Sequence, residues 1–323
     1  MKKVAFVGLS CVALFAYEPG SGIELCEYLK VGGYIALEYE KSKNTDSFLV
    51  DDVALMAYGN FSPTTRYLVE MENVGRYQKD FKNDKENEVG TFRVERATLE
   101  HNFSSYANLV AGKMITPIGY WNQTPINVLR DTTSSPLVTI NIFPKLITGV
   151  QMYGDSGVDG LEYTASVQHT NDMDEKYNNF AINRFYGVGA KYDINDNSQA
   201  KLFAGYFNER NDASQRRFVH ASYKYAYGSW QVLSEAAYSI METTQKDTTS
   251  GGFFAQARYR VDAKNYAIAR YEYYFDGHEQ EREHIAIVGY NYRPIYPVSL
   301  KMEYGFSSIP EKSRFLCSIS ALF

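Results

Sequence analysis

Residues 161–168 read LEYTASVQ, and apolar and polar side chains alternate at every position of this segment. Successive side chains of a β-strand point to opposite faces, so the pattern predicts a strand with one apolar face and one polar face. In residues 253–261, FFAQARYRV, the charges also share one parity, and the same holds for residues 30–40 and 65–77. Each of these strands would suit a boundary between an apolar medium and water.

The alternation repeats along the chain and predicts sixteen strands. We expect them at residues 30–40, 49–61, 65–77, 91–103, 106–116, 147–154, 160–169, 183–192, 198–207, 216–226, 229–241, 252–261, 265–275, 283–292, 297–306 and 314–323. Short turns follow the even-numbered strands, whereas long polar loops follow most odd-numbered ones. A β-bulge is expected near Glu95 and Arg96, because the apolar parity changes within that strand.

These features predict an all-β fold, a 16-stranded antiparallel transmembrane β-barrel. Loops segregated by parity, with both chain ends on the short-turn side, are typical of bacterial outer-membrane barrels. The 28 Tyr and 19 Phe residues suit the aromatic girdles of such barrels, and the last predicted strand ends on Phe323. A soluble all-β protein with a Tyr-rich core is the alternative, but it gives no reason for the segregation of the loops.

The first residues predict export. Two lysines precede an apolar stretch, which is the layout of a cleaved signal peptide at residues 1–16. We expect a short periplasmic segment at residues 17–29 and the barrel at residues 30–323. Without the signal peptide the chain keeps 31 basic and 38 acidic residues, a net charge of −7, which argues against nucleic-acid binding. One disulfide, between Cys26 and Cys317, is left open by the sequence.

Residues 117–146, PIGYWNQTPINVLRDTTSSPLVTINIFPKL, show no alternation and hold four of the nine prolines. Loops of this length in a compact fold are usually functional or disordered. The side chains of Trp121, Ile126, Leu129 and Phe143 indicate that this one packs against protein. Since a barrel of sixteen strands is wide enough to offer a lumen wall, we expect an inward-folded constriction loop.

Residues 95–149 contain ERATL at 95–99, AGKMITPIGYWN at 111–122, IFP at 142–144 and TG at 148–149. These motifs resemble bacterial outer-membrane porins related to the phosphate-selective porin O and P family. The resemblance implies a water-filled, trimeric channel whose third extracellular loop forms the constriction, and phosphate-selective members line the passage with arginines. Here the loop carries only Arg130 and Lys145 as cations and the chain is acidic, so phosphate selectivity is not expected.

The charged faces of the predicted strands supply candidate pore-lining residues. The earlier strands offer mostly acidic side chains and the later ones mostly basic side chains, so a slit between them would carry a transverse field that orients dipolar solutes. Lumen charges that are merely paired with their neighbours are the alternative, and the sequence leaves both open. The predicted pore-lining and constriction residues are Glu70, Glu72, Lys113, Trp121, Arg130, Asp131, Lys145, Arg258, Arg260 and Arg270.

The sequence predicts a porin for passive diffusion of small hydrophilic solutes or ions. We expect it in the bacterial outer membrane, as a homotrimer in contact with lipid and lipopolysaccharide. An enzyme, a cofactor or a metal site is not expected, because the five histidines lie apart without metal-binding spacing. A dyad of His169 with Asp172 or Asp174 is conceivable, but this acidic loop is expected to be hydrated. The alternative function is a surface anchor or adhesin barrel with little channel activity.

Overall fold

The computed structural model describes residues 20–74, 77–88, 90–175, 178–210, 214–242 and 247–323, so the predicted signal peptide lies outside the described residues. The chain forms a closed barrel of sixteen antiparallel strands, as the alternation predicts. We number these strands along the chain as β1 (Leu29–Ser42), β2 (Asp46–Ser62), β3 (Thr65–Val74), β4 (Thr91–Ser104), β5 (Ala107–Ile115), β6 (Leu146–Asp155), β7 (Leu161–Gln168), β8 (Ile182–Asn195), β9 (Ser198–Glu209), β10 (Gln215–Tyr227), β11 (Trp230–Glu242), β12 (Thr248–Arg260), β13 (Asn265–Asp276), β14 (Glu281–Tyr292), β15 (Val298–Ser307) and β16 (Arg314–Leu322).

The barrel closes between its last and first strands. β16 pairs antiparallel with β1, and Leu322 lies opposite Tyr34 at one end of the ladder. The amide of Gly33 donates to the carbonyl of Phe323, and the amide of Phe323 donates back to the carbonyl of Gly33, each over 2.8 Å. Closure removes the unpaired edges that an open sheet would present, which is the condition for a sheet to lie in a bilayer.

Three short strands lie outside the sixteen. Ile23–Cys26 pairs with the start of β1, within the segment predicted to be periplasmic. Tyr77–Asp80 and Lys85–Glu88 form a hairpin that extends the sheet beside β2, in a region predicted as a loop. The cysteines Cys26 and Cys317 are both free, so the disulfide left open by the sequence is not formed.

Apolar side chains cover the outside of the barrel. Leu55, Val188, Leu202 and Val288 are each at least 50% exposed there. Aromatic side chains border this apolar belt at both ends, and they include Tyr28, Phe61, Phe103, Tyr227, Trp230 and Tyr296 beside the short turns and Phe92, Tyr238, Tyr271 and Phe306 toward the long loops. A belt between two aromatic girdles suits a bilayer. The barrel is a structure of the bacterial outer membrane.

An apolar cluster lies inside the lumen. Side chains from β8, β9, β10 and β12 point inward and pack on the segment between β5 and β6. This cluster contains Phe185, Phe203, Phe207, Phe218 and Phe254 of the wall and Ile118, Trp121, Val138, Ile142 and Phe143 of the segment. The segment includes a 3-10 turn at Asn127–Leu129 and a short α-helix at Leu137–Asn141. Across the described ranges, no helix is both long and apolar enough to cross a membrane.

Candidate functional site: the lumen and its inward loop

Residues 116–145, between β5 and β6, fold into the lumen, and we call them the inward loop. Ile118, Trp121 and Phe143 of this loop are at most 4% exposed, because they pack on the inward phenylalanines. Burying a large apolar side chain stabilises a structure by roughly 1.5–3 kcal/mol relative to its exposure. The inward loop is therefore held in the lumen by an apolar core of its own.

Glu235 of β11 holds the first part of the inward loop. Its Oε1 accepts the amide N–H groups of Tyr120, over 2.6 Å, and of Trp121, over 2.8 Å. Its Oε2 lies 3.2 Å from Nε2 of His220, and both side chains are fully buried. Gly119 has a φ of +66°, and a Cβ at that position would lie 2.5 Å from Oε2 of Glu235. The close approach of the loop to this carboxylate therefore requires glycine.

Two further carboxylates, Glu303 of β15 and Glu272 of β13, hold the second half of the loop. Glu303 accepts the amide N–H groups of Thr133 and Ser134, each over 2.9 Å, and Glu272 accepts that of Leu137 over 2.8 Å. Both carboxylates are at most 3% exposed, and hydrogen bonds to charged acceptors are about twice as strong as neutral ones. The loop backbone is thus fastened by carboxylates on alternate strands, which we call the wall carboxylates: Glu235, Glu272 and Glu303.

Basic side chains of the later strands bind oxygen atoms of the inward loop. Arg270 of β13 donates to the carbonyl of Ser134 over 2.9 Å, and its Nε lies 2.8 Å from Glu272. Lys301 of β15 donates to the backbone and side-chain oxygens of Asn127. Both cations are at most 2% exposed. Their charge therefore stabilises the position of the loop and is compensated within the wall.

Trp121 lies among these contacts. The guanidinium carbons of Arg130 and Arg270 are 5.5 and 5.3 Å from its ring centroid, which is within the range of cation–π attraction. Phe254 packs edge-on against the indole, with centroids 6.1 Å apart. The structure thus places Trp121, a predicted constriction residue, as an anchor between two cations and the aromatic wall.

A second loop, between β7 and β8, fastens the far end of the inward loop. Asn178 accepts the amide of Leu146 over 3.2 Å and donates to the carbonyl of Leu146 over 2.8 Å. Asn179 accepts the amide of Lys145 over 2.7 Å and donates to the carbonyl of Phe143 over 2.9 Å. We call Asn178 and Asn179 the asparagine clamp. The clamp fixes the backbone where the inward loop returns to the barrel wall.

One acidic residue of this second loop, Asp172, is buried, so the expectation that the loop acids would be hydrated is wrong for this residue. Asp172 is 7% exposed and accepts a hydrogen bond from the hydroxyl of Thr148 over 2.5 Å. Burial raises the pKa of Asp172, although its hydrogen bonds favour the charged form. Lys113 has no exposed surface and donates to the carbonyl groups of Met173 and Asp174. Lys113, predicted to line the pore, thus supports the second loop.

A β-bulge on β2 turns two consecutive carboxylates toward the lumen. Ala36 of β1 lies opposite Asp52, whereas Leu37 lies opposite Val50, so Asp51 is an extra residue in β2. In a regular strand Asp51 and Asp52 would point to opposite faces. Both line the same lumen cavity, because a bulge redirects side chains.

A second bulge, on β4, confirms the one predicted near Glu95 and Arg96. Glu70 of β3 lies opposite Arg96, and the pairing then shifts so that Glu95 is the extra residue. Arg96 forms an ion pair with Glu70, and Glu95 lies 3.1 Å from Nζ of Lys145 in the inward loop. Glu95 and Arg96, although adjacent in the chain, thus both form ion pairs on the lumen side.

The extra carboxylates of the two bulges share one cavity of about 330 Å³ between the inward loop and the wall of β1–β4. We call it the acidic cavity. Its carboxylates are Glu38, Asp51, Asp52, Glu72 and Glu95. The loop contributes two cations, Arg130 and Lys145. Five negative groups against two positive ones give the lining a formal charge of −3.

Another cavity, of about 420 Å³, lies on the long-loop side of the inward loop, and we call it the outer cavity. Its lining has five carboxylates and three cations, a formal charge of −2: Glu40, Glu272, Glu283, Glu303 and Glu311 against Arg270, Lys312 and Arg314. Ser135 of the inward loop lines both the outer and the acidic cavity. The two cavities therefore adjoin where the inward loop passes the wall.

A third cavity, of about 440 Å³, lies against the wall of β6–β9. Its cations are Lys191, which lies 2.7 Å from Glu162, and Lys201, which donates to the carbonyl of Gly119 over 3.0 Å. The ammonium group of Lys201 also lies 4.2 Å from the ring centroid of Tyr120. The first part of the inward loop is thus flanked by basic side chains on this side of the lumen.

The sequence has little similarity to known proteins. No family model matches it. An uncharacterised protein of Aquifex aeolicus is 28% identical over 165 residues, which are 50% of this chain. The chain spans about a third of the length of that curated relative, 35%.

Solved structures match over nearly the whole chain. The anion-selective porin from Comamonas acidovorans superposes with a TM-score of 0.64 at 11% identity, over 91% of this chain and 99% of that one. The outer membrane channel DcaP of Acinetobacter baumannii superposes with a TM-score of 0.63 at 11% sequence identity, over 94% of this chain and 99% of that one. The trimer form of OmpT, an outer membrane protein of Vibrio cholerae, superposes with a TM-score of 0.62 at 10% sequence identity, over 91% of this chain and 99% of that one. The fold is that of bacterial outer-membrane porins.

Within this porin fold the ten predicted pore residues fall into three groups. Those that line the acidic cavity are Glu72, Arg130 and Lys145. Those that are buried or joined to a partner in the wall or the loops are Glu70, Lys113, Trp121, Asp131, Arg258 and Arg270. Arg260 is exposed at the short-turn end of β12. Carboxylates of β1–β4 lie together in the acidic cavity, on the side where the transverse field was expected to be negative. On the side expected to be positive, Arg258 forms an ion pair with Asp131 over 2.9 Å.

The conceivable histidine dyad is not formed. His169 shares a hydrogen bond of 2.9 Å with the hydroxyl of Tyr186, while Asp172 binds Thr148 and Asp174 binds Arg93. In the part of the chain that the structure describes, no group of three or more His, Cys, Asp or Glu side chains could hold a metal ion. The polar cavities around the inward loop are therefore the features from which a function can be argued.

Proposed function

We propose that this chain is a porin that forms a channel for passive diffusion of small hydrophilic solutes or ions. The observation that carries the proposal is the junction of the outer and acidic cavities at Ser135. A solute from the long-loop side would enter the outer cavity and pass the inward loop through the acidic cavity, along the wall of β1–β4, while the apolar core of the loop packs on the wall of β8–β12. A loop fastened by buried hydrogen bonds gives this passage a constant width.

The porin fold supports this function, since barrels of sixteen strands are wide enough for an aqueous channel. The trimer form of the Vibrio cholerae neighbour supports a homotrimer, and the apolar belt supports contact with outer-membrane lipid and lipopolysaccharide. The motifs at residues 95–149 favour kinship with the phosphate-selective porin O and P family, while the charge of the acidic cavity argues against phosphate as the solute. We expect Glu72, Arg130 and Lys145 to contact the solute.

Conductance of the purified chain in planar bilayers tests the proposal. We expect discrete ohmic openings. Ser135→Trp should lower the single-channel conductance, because an indole would fill the junction between the two cavities. Ser156→Trp, in the exposed turn after β6, is the matched control and should leave the conductance unchanged.

A bilayer that stays sealed at high protein concentration would overturn the proposal and favour the alternative, a surface anchor or adhesin barrel. Openings whose conductance is the same in wild type and in Ser135→Trp would show that the solute passes elsewhere in the lumen.

A further inference from the structure

We propose that the channel prefers cationic solutes over anionic ones, and that the bulges at Asp51 and Glu95 give it this preference. The inference rests on the proposed channel function and names its class of solute. It follows from the charge that lines the acidic cavity, from the way in which the bulges produce that charge, and from the engagement of the basic side chains elsewhere in the lumen.

The bulges supply two of the five carboxylates in the acidic cavity, Asp51 and Glu95. If β2 and β4 were regular, the alternation of side chains would direct these two residues to the lipid face. Three carboxylates would then face the two cations of the loop, and the lining would have a formal charge of −1 in place of −3. The bulges therefore change a nearly balanced lining into a strongly acidic one.

The positive side chains of the lumen are engaged in ways that limit their effect on a solute. Arg130 donates to the carbonyl of Thr124 over 2.7 Å and to the hydroxyl of Ser135 over 3.3 Å. Arg270 and Lys301 are at most 2% exposed and bind the inward loop. The acidic cavity thus has the larger excess of carboxylates along the proposed passage, a formal charge of −3, and the lining of the outer cavity has the same sign, with five carboxylates against three cations.

The dimensions fit a small cation. A cavity of about 330 Å³ holds several water molecules, since one water needs only roughly 10–15 Å³ of such space. A hydrated alkali ion or a small organic ammonium ion would fit with part of its water. Charges of one sign on low-dielectric walls raise the local concentration of counter-ions, and rings of Asp and Glu select cations in other channels.

The reversal potential across a KCl gradient tests the inference separately from the function. We expect wild type to be more permeable to K⁺ than to Cl⁻. The double variant Asp51→Asn and Asp52→Asn should bring the K⁺ to Cl⁻ permeability ratio toward one while the channels still open. Glu162→Gln removes a lumen carboxylate outside the acidic cavity and is the matched control, whose ratio should stay at the wild-type value.

Open channels that prefer Cl⁻ would refute the inference and leave the channel function intact. An equal change in the double variant and in Glu162→Gln would refute the assignment to the acidic cavity. A bilayer without openings would refute the proposed function and the inference together. If the double variant does not fold, Arg130→Gln, which removes a cation from the same cavity, should raise the ratio, and a fall would contradict the inference.

Discussion

Replacing Glu235 with alanine should release the first part of the inward loop and leave its second half in place. Glu235 accepts the amide N–H groups of Tyr120 and Trp121 over 2.6 and 2.8 Å, and it is fully buried. A hydrogen bond to a charged group contributes about 1.5–3 kcal/mol, and a buried amide left without its partner is costly. Two such bonds make the expected loss of local stability at residues 119–122 about 3–6 kcal/mol.

Amide hydrogen exchange of the refolded protein in detergent measures this local stability. Since 1.4 kcal/mol is a factor of ten, protection of the Tyr120 and Trp121 amides should fall by about 10²–10⁴-fold. The amides of Thr133 and Ser134, which Glu303 accepts, are the internal control and should keep their protection. Glu162→Ala is the control variant, because it also removes a lumen carboxylate, but one that pairs with Lys191 of the wall and not with the amides of Tyr120 and Trp121.

Two outcomes would refute this reasoning. A fall in protection of less than tenfold at residues 120–121 would show that the carboxylate does not hold the loop. An equal fall at residues 133–134 would show that the loop opens as one unit, so that its anchors do not act independently.

Three further substitutions test other contacts of the loop. Gly119→Ala should increase amide exchange at residues 119–122, because the added Cβ would lie 2.5 Å from Oε2 of Glu235. Gly228→Ala is the control, since its φ is also positive but a Cβ there meets nothing within 4 Å. It should lower the stability only by the roughly 1–2 kcal/mol that a left-handed backbone costs a residue with a Cβ. Asn179→Ala removes the partner of the Lys145 amide, so exchange at that amide should rise about 5- to 150-fold, which corresponds to about 1–3 kcal/mol. Unchanged exchange would exclude the asparagine clamp. Trp121→Ala should lower the free energy of unfolding by about 3–5 kcal/mol in a denaturant titration, because the indole is 4% exposed.

The strands could be predicted from the sequence because the two surroundings of a barrel wall impose a period of two on every strand. Residues 160–169 were expected as one strand, and β7 spans Leu161–Gln168. The lumen side of the later strands could not be predicted in the same way. Phe185, Phe203 and Phe218 point inward, against the rule that the inner face is polar, because the inward loop covers them.

The two bulges differ in how visible they are in the sequence. Around Glu95 the apolar parity changes within the strand, so a bulge could be predicted there. On β2 the clue is fainter: Asp51 and Asp52 are adjacent, and a regular strand would leave one carboxylate facing lipid. The lumen position of Asp51 was therefore missed.

The anchors of the inward loop could not be found by any local pattern. The alternation along β11 and β15 puts Glu235 and Glu303 on the lumen face, but their partners lie far away in the chain. Tyr120 and Glu235 are separated by 115 residues, and Thr133 and Glu303 by 170. Periodicity gives the face on which a charge lies, whereas the height of that charge along the barrel depends on strand register and closure.

The same separations set an order for the assembly of the barrel. The inward loop precedes every wall carboxylate in the chain, so these three anchors are available to it only when β11, β13 and β15 are paired. Contacts this distant in sequence form late, because the entropy of closing a long loop must be lost first. A barrel arrested before β15 would lack Glu303, which accepts the amide N–H groups of Thr133 and Ser134. The lumen is thus narrowed by a loop from the first half of the chain, whereas the three wall carboxylates that hold this loop all come from the last third of the chain.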